Sequence, residues 1–91
     1  MGQKLITLPN QRTQYLWDAY LATAYAEGFC EGEGATLNEQ IEAWACLIAT
    51  GMAWTLQGSF GRAASNFIER GIIAKDGTID WDKVDDLMDA D

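Results

Sequence analysis

Apolar residues recur along this chain mostly at helical rather than strand spacing. Pro9 pushes Leu8 toward extended geometry, and Asn10 is a favourable N-cap residue. A first helix is therefore predicted from near Asn10 to about Ala26, ahead of Gly28. Tyr15, Leu16, Trp17, Tyr20, Leu21 and Tyr25, with the alanines among them, make it apolar on nearly every face. Such a helix is expected to be central, or covered on its outer side. Thr36-Leu37-Asn38-Glu39 reads as a capping box, so a second helix should start at Leu37. Ile41, Ala45, Ile48, Met52 and Leu56 form its stripe, with Trp44 at the edge. Gly51 interrupts the pattern at about 1 kcal/mol relative to Ala, which predicts a kink or close packing there.

Gln57-Gly58-Ser59 predicts a tight turn, with Ser59 capping a third helix that ends at Gly71 and buries Phe60, Ala63, Ala64, Phe67 and Ile68. From Ile72 to Ile79, two short apolar arms flank Asp76-Gly77; a small hairpin or an extended loop satisfies the pattern equally. The last helix has Asp80 as its N-cap. Ile79 and Val84 form a hydrophobic staple, and Val84, Leu87 and Met88 form a buried stripe. The expected architecture is all-α: a compact bundle of about four helices forming a single domain over residues 1–91, with a short β-hairpin between the last two helices as one option.

Composition narrows the function classes. A 91-residue chain hides only roughly 60% of its unfolded surface, but 48% apolar residues and four Trp supply a real core. The net charge of −8 sets the chain against phosphates and anionic membranes and favours basic partners. Seven of the 14 acids lie between Asp76 and Asp91, an acidic terminal block. The first residues lack a signal-like apolar region, and no run approaches the roughly 20 apolar residues of a membrane span. Cys30 and Cys46 then read as free thiols in a cytoplasmic protein.

Catalytic chemistry is hard to assemble from these residues. There is no histidine, and two cysteines cannot close a zinc site alone. The acids after Asp76 fail the calcium-loop spacing, because Thr78 and Trp81 stand at its third and sixth positions. The glycine turns at Gly32–Gly34 and Gly58–Gly61 lack the features of a phosphate cradle. No enzyme, metal or cofactor is expected. The segment from Leu56 to Ile73 has a different interest. Arg62, Asn66 and Arg70 share the side of the third helix opposite Phe60, Ala64 and Phe67, as in the reading head of a winged helix-turn-helix.

The run Thr50-Gly-Met-Ala-Trp54, Leu56-Gln-Gly58, Phe60-Gly-Arg62, Ala64 and Ile68-Glu-Arg-Gly-Ile72 resembles small helical proteins encoded in bacteriophage and prophage genomes. The resemblance implies a phage origin and helical packing, and brings no activity with it. The function expected is binding and modulation of a host protein or other macromolecule, anti-defence inhibition included. In the DNA-mimic form of that reading, Asp76, Asp80, Asp82, Asp85, Asp86 and Asp89 stand in for phosphates. Aromatics among Trp17, Tyr20, Tyr25, Trp54 and Trp81 would then serve as anchors. Self-association as a homodimer is expected through Trp17, Leu21 and Tyr25. The alternative is a DNA-binding regulator that uses Arg62, Asn66 and Arg70.

Overall fold

Four helices in chain order make up the regular structure of the computed structural model, which describes residues 8–27, 34–55 and 58–89, with side chains as far as Asp86. They are α1 (Ala19–Glu27), α2 (Leu37–Thr50), α3 (Gly58–Glu69) and α4 (Trp81–Asp89), with a 3-10 turn at Met52–Trp54. One apolar cluster takes residues from every helix and from the segments between them. The Cα radius of gyration is 12.2 Å, about that of a folded domain of this length.

The second helix is the central one. Ile41, Ala43, Ala45, Cys46, Leu47 and Ile48 are all buried, so α2 is covered on more than one face. Its start follows the sequence rule: Thr36 Oγ1 accepts the Glu39 N–H while the Glu39 carboxylate accepts the Thr36 N–H. Its end departs from expectation. Gly51 adopts φ +80° and its N–H donates to the Ile48 carbonyl, which terminates α2 instead of kinking it. The 3-10 turn then carries Met52 and Trp54 in a new direction, and Leu56 lies outside the described residues.

The first helix is shorter than its apolar run suggested. Residues 10–18 form an irregular strap, and α1 begins only at Ala19, capped by Asp18, whose Oδ1 accepts the Leu21 N–H at 2.7 Å. Local side-chain bonds replace helical ones in the strap. The Gln11 amide nitrogen donates to the carbonyls of Thr13 and Tyr15, and its oxygen accepts the Leu8 N–H. Asn10 caps nothing. Its amide group bonds both the N–H and the C=O of Ile79, 69 positions away. The expected central helix is thus replaced by a strap plus a short helix packed on α2.

Toward the C-terminus, α3 closes with Gly71 at φ +72°. The Gly71 N–H reaches Ile68 O and the Ile72 N–H reaches Phe67 O, a Schellman pattern. Phe60 and Ala64 are buried, and Trp44 stacks against Phe60 and Phe67 at 5.4 and 5.6 Å. The segment from Ile72 to Ile79 contains no strand. Ile73 and Ile79 meet in a single isolated bridge around the Asp76-Gly77 turn, so the hairpin option is set aside. Asp80 caps α4 through the Lys83 N–H, with Ile79 and Val84 both buried beside it. Leu87 and Met88 have side chains outside the described residues.

Candidate functional site

A carboxylate that makes no ion pair among the described residues lies on the central helix. Glu42 is 0% exposed on α2, where an unsatisfied charge would cost many kcal/mol. Four donors from the strap offset that cost. The N–H groups of Arg12 and Thr13 reach Oε2 at 2.6 and 2.8 Å, and the Thr13 hydroxyl and Trp17 indole N–H reach Oε1 at 2.5 and 3.2 Å. Buried Trp17 also packs edge-on against Tyr15 and Tyr25, with ring centroids 5.3 and 5.2 Å away. With both oxygens occupied and no exposed surface, Glu42 is an anchor for the strap rather than a reactive group. Its sequence signal was its position as the one charge between Gln40 and Gly51.

Two further carboxylates hold the same strap from outside. Glu39 accepts the Tyr15 hydroxyl, and this bond, then the Thr36 backbone, keeps the Glu39 carboxyl below its ordinary range. The same contact, with Tyr25 next, pushes the Tyr15 hydroxyl up. Asp85 on α4 takes the Arg12 guanidinium in a two-pronged bond at 2.9 and 3.0 Å, which lowers the Asp85 carboxyl. Arg12 also lies over the Trp81 ring at 4.4 Å, and the Trp81 indole N–H donates to Asn10 O.

Several of the acids expected to form a free face therefore have tasks inside the fold. Asp85 pairs with Arg12, Asp80 caps α4, and Asp76 accepts the Thr78 N–H across its turn, which lowers its carboxyl. Asp82 and Asp86 are exposed on α4. The Asp89 side chain is outside the described residues. The self-association residues are placed otherwise than expected. Trp17 and Tyr25 belong to the chain's own core and Leu21 is half-buried against it, because the strap folds the apolar face inward. Among the described residues, the large apolar side chains left outside are Leu16, Tyr20 and Trp54.

Trp54 is the largest of these. It is 51% exposed at the end of the 3-10 turn and lies against α3, where a Cβ built on Gly61 would sit 3.8 Å from the indole. Two grooves share it as a wall, together with Ser65 and Glu69. One, of about 570 Å³, is completed by Gly58, Arg62 and Asn66. The other, of about 470 Å³, has Ile48 and Ile68 as its apolar side and Lys75 at its rim. Arg62, Asn66 and Arg70 are all exposed. Asn66 lines one groove with Arg62 and another with Arg70; Arg70, just past the end of α3, also borders a groove with Ile72, Lys83 and Asp86. Another groove, of about 640 Å³, lies at the seam of strap and α4. Asn10, Asp80 and Trp81 line it with hydrogen bonds already made within the fold.

Cys46 is buried, and burial pushes its thiol up to about 11. Cys30 lies outside the described residues. No helix among the described residues is long and apolar enough to cross a membrane.

No curated protein and no solved structure matches the chain. A family model does, over residues 29–88, which take in α2, the Trp54 turn, α3 and nearly all of α4 but leave the strap outside. By that match the chain belongs to the family described as Domain of unknown function (DUF7417).

Proposed function

We propose that this protein is a small binding protein that engages and modulates a macromolecular partner through the ridge formed by Trp54 and α3. The observation that carries the reading is the half-exposed indole of Trp54, held between two grooves by a turn that Gly51 directs. Exposed Trp anchors beside shallow grooves are typical of binding hot spots. The ridge also falls within the run that resembles phage and prophage proteins, which favours a host macromolecule as the partner, anti-defence targets included. The DNA-mimic form of the reading is weaker, since Asp76, Asp80 and Asp85 serve the fold. The test is a nuclease-treated pull-down from bacterial lysate with the tagged protein and with Trp54→Ala. A partner held by the first and lost by the second supports the ridge. Retention of the same partner by Trp54→Ala removes it. A bait that holds only nucleic acid, in a manner sensitive to Arg62→Ala and Arg70→Ala, selects the DNA-binding alternative.

A further inference from the structure

Charge is divided unevenly over this acidic chain, and the Trp54 ridge lies on the exceptional part. Between residues 43 and 75 there are three bases, Arg62, Arg70 and Lys75, and one acid, Glu69, a local charge of +2. The other residues carry three bases and 13 acids, a charge of −10. Among the described residues the one salt bridge is Arg12–Asp85, so the three exposed cations of this stretch are not spent inside the fold. Two of them, Arg62 and Lys75, border opposite grooves of the Trp54 ridge, and Glu69 lines both, so the ridge itself carries two cations against one carboxylate.

We infer that the ridge docks an acidic protein segment, one apolar side chain of which packs on Trp54 and whose carboxylates pair with Arg62 and Lys75. The inference rests on the ridge being the binding surface and adds the chemistry of its occupant. Ile48 and Ile68 give the inserted side chain an apolar wall, and ion pairs at the rim set register and on-rate. A basic segment would bring like charge against both rim cations and find only Glu69 to pair with. A nucleic acid would find few cations to neutralise its phosphates and a strongly negative body around them. Charge on the far parts of the molecule is screened beyond about 8 Å at physiological salt, so the local sign governs a short segment more than a long polyanion.

The experiment is fluorescence anisotropy with a labelled peptide of alternating Leu and Glu, its Gln and Lys counterparts, and a single-stranded oligothymidine. Expected is binding of the Glu peptide, at least about tenfold tighter than the Lys peptide and weakening as salt rises. Arg62→Glu with Lys75→Glu should abolish that preference, Trp54→Ala should weaken binding of the Glu peptide, and Lys83→Glu, outside both grooves, should leave it intact. Binding of none of the peptides, preference for the Lys peptide or the oligothymidine, or indifference to the two reversals overturns the acidic occupant. The pull-down separates the two readings. A partner lost with Trp54→Ala but held by the charge reversals leaves the ridge standing and overturns this inference. A partner held by Trp54→Ala overturns the ridge itself.

Discussion

The indole N–H of Trp17 donates to the carboxylate of Glu42 across 25 positions of sequence, at 3.2 Å and with both residues fully buried. The bond joins the strap to the central helix and explains why an apolar segment with good helical residues does not continue as helix. Four donors converge on Glu42, and only the irregular strap brings them all there.

Glu42→Gln should therefore destabilise strongly. The amide keeps one acceptor and turns an N–H₂ toward the donors, leaving buried groups unsatisfied at about 1–3 kcal/mol each. A total near 2 kcal/mol or more corresponds to roughly 8–16 °C in Tm for a domain of this size. Thermal unfolding followed by circular dichroism checks it; a change of a degree or two would mean that the cage contributes little.

Gly77 should be the most sensitive of the described glycines. At φ +90° it is buried beneath the turn, and an added Cβ would stand 2.9 Å from Ala49 Cβ and 3.3 Å from both Ala45 O and Leu8 Cδ2. Gly77→Ala combines backbone strain of about 1–2 kcal/mol with overpacking of about 1–3 kcal/mol. Gly51→Ala, at φ +80° with open space around it, should cost the backbone term alone. Urea midpoints of the two variants give the comparison, and equal losses would refute the close approach at Gly77.

Acid should loosen the strap before neutral pH affects it. Asp85 and Glu39 both have carboxyls lowered by the strap, through Arg12 and Tyr15 respectively. A lowered carboxyl contributes stability that is complete above its unfolded value of about 4 and is lost as pH falls through the lower folded value. Stability measured by urea against pH should fall on the acid side, less steeply in the Asp85→Asn, Glu39→Gln double variant. An unchanged slope in that variant would rule these two groups out as the source.

The two tryptophans of contrasting exposure should separate stability from binding. Trp17→Ala empties a fully buried site and should cost about 3–5 kcal/mol. Trp54→Ala removes a half-exposed ring and should cost clearly less, about 1–2 kcal/mol, while losing the captured partner. Chemical denaturation of both variants, run beside the pull-down, checks the split.

Cys46 should be inert in the folded protein. Its thiol is buried and raised to about 11, so almost no thiolate forms near pH 8. In a Cys30→Ser background, reaction with a disulfide-exchange reagent should be slow until denaturant is added. Rapid labelling under native conditions would contradict the packing around α2.

The parts of this fold that were legible in the sequence depend on residues within about four positions of one another. Thr36 and Glu39 set the start of α2, Asp80 capped α4 with Ile79 and Val84 beside it, and Phe60 and Ala64 marked the buried side of α3. The Trp54 ridge was only half legible: Trp54 was among the aromatic anchors and Arg62 and Asn66 among the polar readers, but nothing local placed them around shared grooves.

What local rules misjudged was decided by contacts over long separations. The first helix lost residues 10–18 because Asn10 binds Ile79 and Arg12 binds Asp85, 69 and 73 positions away, and Glu42 takes the amides of Arg12 and Thr13. Helical periodicity identifies an apolar segment but does not say which partner will cover it. Sequence thus determined a helical chain with defined starts at α2 and α4. The tertiary structure alone decided that α2 is the centre, that its one internal charge is sealed, and that Trp54 stays outside. A buried carboxylate must find donors wherever the chain can bring them, and once the strap supplies them the apolar face of Trp17 and Tyr25 is turned inward.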